Sequence, residues 1–239
     1  IYFVSDDILF YKPPFIHFLN WFKDSGLPHK IMVQTHSANL TKDIFDLLAK
    51  AHCDQVSIGI ENASSYIRKT LMKPQGDQQI EDIVTWSREF GVPAYFLILL
   101  FPPESRLEDC WINYITLSRW LDLGVQISIE PVIYAYRGAP LWKDEGKYRF
   151  MYEKVSVGRN EFIKNPLWIE PRLPEVAKFV HEFVGRFPEF IKEEQKKLDH
   201  THLYKGARGP MYIKLLGQML KEVDPNEEHN PFKEGKANT

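Results

Sequence analysis

Five apolar runs recur at near-regular intervals in the first part of the chain, and their spacing constrains the fold more than any other feature. They are IYFVS at 1, KIMVQT at 30, QVSIGI at 55, AYFLILLF at 94 and VQISIEPVI at 125. Their starts lie 29, 25, 39 and 31 residues apart, each interval close to one βα unit. The runs read as apolar on both faces rather than alternating, as strands of a parallel sheet covered by helices do. Helix signals fill the gaps. Phe15, Phe18, Leu19 and Phe22 form a stripe that stops at Gly26 and Pro28. Thr41 stands as N-cap before KDIFDLLAKA, whose Ile44, Leu47, Leu48 and Ala51 share one face. Ile80, Ile83, Val84 and Ser87 precede a Gly91 C-cap, and Leu107, Trp111, Tyr114, Ile115, Ser118 and Leu121 precede Gly124. Five strands alternating with four helices predict a parallel α/β architecture. Periodicity alone leaves a barrel and a doubly wound open sheet as alternatives.

The alternation stops near residue 140. An irregular, aromatic and charged stretch follows, then a helix carrying Val176, Phe179, Val180, Phe183 and Phe187, then the helix MYIKLLGQMLKEV. The polar end, DPNEEHNPFKEGKANT, reads as disordered. The expected division is an α/β unit over 1–142, a mostly helical extension over 143–223 and a tail over 224–239.

A chain that is 44% hydrophobic and 14% aromatic can fill a core of this size. A net charge of -2 gives no electrostatic case for nucleic acid or an anionic membrane as partner. No apolar run approaches the ~20 residues that span a bilayer, and no signal-peptide pattern is visible. Cys53 and Cys110 are the only cysteines, which points to a reducing compartment and the cytoplasm.

In parallel α/β folds chemistry gathers at the carboxyl ends of the strands. That rule selects SDD at 5–7, QTHSAN at 34–39, GIENAS at 59–64, FPPES at 101–105 and EPVIYAYRGAPL at 130–141. Asp6 and Asp7 are site candidates, with helix capping as the competing role. Glu61 has no basic neighbour in sequence, so its carboxylate should face a ligand or a distant cation. His36 is a polar rim residue or a base, and Glu104 a rim residue or a cap for SRLEDCW. Cys53 lies at the opposite end of its strand from Glu61, and Cys110 falls on a helix stripe, so both read as packed side chains rather than nucleophiles. His200 and His202 stand two apart without a third ligand nearby, which argues against a metal site. Neither a Gly-rich phosphate loop nor a Ser nucleophile elbow is present.

Taken in order, FVSDDILF, VQTHSANLTKDIFDLLAKAHCDQVSIGIENASSYIRKTLMKPQ, REFGVPAYFLILLFPPES and RGAPLW resemble the radical S-adenosylmethionine (SAM) superfamily, most of all its cobalamin-binding and methylthiotransferase-like branches. The piece DLLAKAHCDQVSIGIENAS is the most specific, and the likeness covers residues 1 to about 142. It implies a partial (β/α)6 TIM-like barrel with a C-terminal helical extension. Two cysteines 57 residues apart do not supply the three thiolates of a Cys-x-x-x-Cys-x-x-Cys loop. The resemblance therefore implies a chain that begins after the first βα unit, with the ligands of a 4Fe–4S cluster outside it and with cobalamin a cofactor of the parent protein. It implies a reductive cleavage of SAM to a 5′-deoxyadenosyl radical acting on a small-molecule substrate, and no such activity for these residues alone. With the first βα unit missing, the first strand would present an unpaired edge, so either the chain self-associates through it or C-terminal elements cover it.

Carried over residue by residue, Asp6 and Asp7 match the strand end that meets the methionyl amino group. Thr35 and His36 match the pair on the next strand, Glu61 the acid near the ribose or amino-acid part, and Leu99 to Glu104, Phe101 included, the segment that packs on adenine. LLFPPES lacks both glycines of the usual G-F-P-G-E-S, and His36 replaces a common Arg. Two other readings compete: a degenerate barrel that binds a ligand or partner without catalysis, and a TIM-barrel hydrolase with Asp7 and Glu61 as acid and base.

Overall fold

The structure, a computed structural model, describes residues 1–3, 5–73, 75–130, 134–136, 153–157, 160–164, 170–186 and 208–233. Four strands, β1 (Ile31–Thr35), β2 (Cys53–Glu61), β3 (Ala94–Leu99) and β4 (Gln126–Glu130), pair in parallel and in sequence order. Helix α1 (Lys12–Asp24) precedes β1, α2 (Lys42–Lys50) follows it, α3 (Ser65–Thr70) and α4 (Asp77–Phe90) link β2 to β3, and α5 (Leu107–Asp122) links β3 to β4. This is the α/β sheet of a partial barrel.

The first run is shorter than a strand. Tyr2 bridges Met32 in parallel, with Met32 N–H on Ile1 O (2.8 Å) and Phe3 N–H on Met32 O (3.0 Å). The chain returns at Ile8, whose N–H donates to Gln34 O (3.0 Å). Its place beside β1 is the one the spacing predicts; its length is not, because the turn at Asp7 claims the residues after it.

Caps fall where local chemistry puts them. Thr41 Oγ1 accepts the Ile44 N–H (3.4 Å), and Gly91 and Gly124 take φ of 64° and 88° after their helices. The buried residues of α4 are the predicted Ile80, Ile83, Val84 and Ser87.

The sheet corrects the expectation of two apolar faces. Alternation and register place Ile31, Val33, Val56, Ile58, Ala94, Phe96, Ile98, Ile127 and Ile129 on the helix-covered face, all within the hydrophobic core. The opposite, inner face carries Gln34, Gln55, Ser57, Tyr95, Gln126 and Ser128, none of them in that core. The runs look uniformly apolar because Ser, Gln and Tyr interrupt them singly.

Helix α5 departs from its predicted stripe. Its buried residues are Leu107, Asp109, Cys110, Trp111, Asn113, Leu117 and Trp120, while Tyr114, Ile115 and Leu121 are only partly buried. The reason is a second layer. Helices α6 (Leu173–Arg186) and α7 (Arg208–Val223) pack together, and α7 lies against both α5 and β4. A β-carbon on Gly209 would stand 2.1 Å from Ile127 O, and one on Gly217 would stand 2.3 Å from the Tyr114 ring. Strands β5 (Tyr134–Tyr136), β6 (Glu153–Val157) and β7 (Asn160–Lys164) form a separate antiparallel sheet, ordered β5-β7-β6, within a stretch that reads as irregular.

The start of the tail is ordered rather than disordered. Asp224 is buried beneath α5, where the Trp111 indole donates to its Oδ2 (2.9 Å) together with the His229 N–H (3.0 Å). Burial pushes the Asp224 carboxyl up, but those donors, with the His229 ring and the Glu228 N–H, outweigh it and hold it at about 2. The 137–142 turn, His200, His202 and 234–239 lie outside the described residues. Among the described residues no helix is long and apolar enough to cross a membrane.

Gly209→Ala should destabilise the chain by about 1–3 kcal/mol, because the obstacle is backbone and cannot rotate away. The midpoint of urea unfolding measures this, and an unchanged midpoint would contradict the close packing of α7 on β4.

Candidate functional site

The strands end together, so the side chains that follow them share one rim. Asp7 sits there as an anchor. Its Oδ1 accepts the Thr35 hydroxyl (2.6 Å), the Leu9 N–H (3.2 Å) and the His36 N–H (3.4 Å), and its Oδ2 accepts the Asn39 amide (2.7 Å). The structure thus joins Asp7, Thr35 and His36, but with Asp7 committed to four donors. Asp6 is exposed beside it, and the His36 side chain is half-buried.

Glu61 is the singular residue of the rim. The register of β2 against β3 shifts between Gly59 and Glu61, which pair with Leu97 and Ile98, so Ile60 is a bulged residue. Glu61 then takes φ 69°, a left-handed conformation that costs a non-glycine residue ~1 kcal/mol or more. This turns the carboxylate back over the inner face: a β-carbon on Gly59 would lie 2.8 Å from Glu61 Oε1 and 3.7 Å from Lys73 Nζ. Lys73, twelve residues on, pairs with Glu61 and is the distant cation that the sequence leaves open beside a ligand. The Glu61 side chain remains 14% exposed.

Arg68 holds this arrangement, and the sequence reading overlooked it. Its guanidinium is fully buried and donates to Asn62 O (3.0 Å), Ala63 O (2.6 Å), Gln75 O (3.1 Å) and the Asp77 carboxylate. The turn after α3 is drawn over β2: the Lys73 N–H donates to Arg68 O (2.9 Å), and the Gln75 amide to Gly59 O (3.1 Å). Met72, in the same turn, has φ 58°. The signal available in sequence was an Arg in an otherwise amphipathic six-residue helix directly after GIENAS, which alone does not reveal burial.

A third group fixes the other side. Asn62 donates to Leu99 O (2.9 Å), the Ser64 hydroxyl to buried Asp109 (2.6 Å), and the Ala63 N–H to Asn113 (2.9 Å). Asp109 caps the start of α5 from its third position, accepting the Arg106 N–H (3.0 Å). Glu104 is half-buried at the rim, and Phe101 is fully buried within the hydrophobic core.

The cysteines stay apart from all of this. Burial pushes the Cys53 thiol up to about 12 at the start of β2 and raises that of Cys110 on α5. Neither favours the thiolate that a metal requires. Among the described residues no group of three or more His, Cys, Asp or Glu could hold a metal ion.

Comparison with known proteins places this geometry. A model described as the Radical SAM superfamily matches residues 4–109, the stretch that carries the motifs Asp7, Glu61 and Asp109 occupy. No protein of curated function matches the sequence. Among solved structures, OxsB, a cobalamin-dependent S-adenosylmethionine radical enzyme with aqua-cobalamin bound, superposes with a TM-score of 0.72 at 12% identity, covering 96% of this chain. TsrM from Kitasatospora setae, a radical S-adenosylmethionine methyltransferase with tryptophan substrate and a SAM analog bound, superposes at 0.60 and 11% identity, covering 94%. The chain spans 41% of the OxsB chain and 52% of the TsrM chain. At these identities the likeness is one of fold.

Arg68→Met should cost at least ~2 kcal/mol by stranding the buried Asn62 and Ala63 carbonyls and the part-buried Gln75 carbonyl, and Asp77→Asn much less, because Asp77 is exposed. Urea unfolding of both variants checks the order, and the reverse order would mean that the carbonyls do not depend on Arg68.

Proposed function

From the premise that residues 4–109 carry the radical SAM fold, we propose that this chain is the SAM-binding α/β unit of a radical SAM enzyme acting on a small molecule, of the cobalamin-dependent kind. The observation that carries the reading is Glu61. A strained acid, turned over a glycine at a strand end and steadied by Lys73, is a placed acceptor for ligand hydroxyl or ammonium groups. SAM carries both. Gly59, without a β-carbon, leaves the space that the Glu61 carboxylate occupies. Asp7 supports the site at second hand, by fixing Thr35 and Asn39. It has no free role as a proton carrier, which argues against acid–base hydrolysis by Asp7 and Glu61.

The two cofactors fare differently. SAM fits the rim, and when bound it would supply the radical chemistry of the family; these residues would bind it, orient it and exclude water. A 4Fe–4S cluster does not fit the thiols present, since Cys53 and Cys110 are buried, protonated and at different ends of the unit. Its ligands must come from elsewhere.

Titration calorimetry with SAM tests the reading. The native chain should give heat, and Glu61→Ala should weaken binding at least ~10-fold, the loss of one charged hydrogen bond. No heat with a folded native chain would overturn it. The outer edge at Ile1 and Tyr2, which are 58% and 48% exposed, is the proposed route of self-association. Light scattering should show a mass above the monomer, and a clean monomer at high concentration would refute this.

A further inference from the structure

Helix α1 carries two apolar stripes, and only one of them faces the core. Phe15, Leu19 and Phe22 are buried and mark the core side. At ~100° per residue, Tyr11, Pro14, Phe18 and Trp21 fall on a second stripe about 90° around the helix. That stripe borders the free edge of the sheet, because Phe3 on the edge packs edge-on against Phe15 (5.6 Å between ring centroids) and Phe18 (5.1 Å). Trp21 continues the string from Phe18 (5.9 Å), and Phe10 lies against Tyr11 (4.9 Å). Phe10, Tyr11 and Trp21 are nevertheless 70%, 72% and 54% exposed. Lys12 and Lys23 fall on the far side of the helix, so the exposed rings are not broken up by lysines. Contiguous apolar surface of this kind marks an interaction site.

The edge itself has the complementary backbone. The Met32 N–H donates to Ile1 O and the Phe3 N–H to Met32 O, so the N–H and C=O of the intervening Tyr2 turn away from β1. One outward donor and one outward acceptor on a single residue suit an antiparallel pairing across a two-fold axis. There a residue exchanges both bonds with its own copy. The same axis lays two α1 helices side by side and antiparallel, second stripe against second stripe. Ile1, Phe10, Tyr11 and Trp21 offer on the order of 500 Å² of exposed side chain per copy, taking ~200 Å² for a whole ring. Two copies would bury about 1,000 Å², the size at which a specific interface begins.

We propose that this face docks a second copy of the chain in a closed two-fold dimer. Tyr2 pairs with Tyr2 of the second copy, and the Tyr11–Trp21 stripe packs on its counterpart. The inference rests on the self-association reading above and adds to it a symmetry, a helix and a fixed stoichiometry. It is independent of SAM.

Sedimentation velocity over a wide range of concentration should resolve monomer and dimer and nothing larger. Tyr2→Pro removes the outward N–H without touching a bond to β1, and Trp21→Glu sets like charges against each other across the axis. Each should weaken dimerisation at least ~10-fold while the circular dichroism of the native fold is retained. If one variant unfolds, the other decides. Dimers that persist equally in the folded variants would overturn the proposal and leave self-association to another face. Assemblies that grow beyond the dimer would also overturn it, because a closed two-fold interface stops at two. A native monomer at high concentration would overturn both readings and leave the face to a strand and helix of a different polypeptide.

Discussion

Everything in this molecule depends on one constraint, the parallel register of four strands taken in sequence order. Because the partners align residue for residue, Val33, Val56 and Ala94 fall on one face while Gln34, Ser57, Tyr95 and Gln126 fall on the other. The first face gives the helices a continuous apolar surface and so supplies the driving force for folding. The second is left for chemistry. The same alignment brings the strand ends to a common level, which is why Asp7, Glu61 and Glu104 share a rim despite their separation in sequence.

That register shifts at two points, at the start of β1 and at Ile60, and the second break sits where the site is. A bulge and a left-handed Glu61 would relax without outside support. The support is a fully buried Arg68 with four acceptors, three of them main-chain carbonyls. Such a cation is costly to bury. It is retained here because its fixed fork can hold two loops at once, which an apolar side chain of the same volume cannot do.

The sequence made the α/β order legible because helix caps and apolar stripes are local signals: Thr41, Gly91 and the α4 stripe are each read within a few residues. Residues at the rim could be listed for the same reason, since they follow apolar runs. What was not legible depends on contacts distant in sequence. The pairing of Glu61 with Lys73 needs the turn after α3, the burial of Phe101 and the second buried side of α5 need the helices packed there, and the ordered Asp224 needs Trp111. The polar inner face was missed for a different reason. Single Ser, Gln and Tyr residues within strongly apolar runs look like tolerated exceptions until register lines them up.

Helix α7 has a consequence for how the chain comes to be folded. Its contacts with α5 and β4, and the Trp111–Asp224 hydrogen bond just after it, spanning 113 residues, join this helix to the middle of the sheet. Closing so long a loop carries an entropic cost that must be met before those contacts return anything, and chains rich in such distant pairings fold slowly. During synthesis β4 and α5 lack these contacts until α7 has emerged. Over that interval the nascent chain is at its most prone to mispairing with a neighbour.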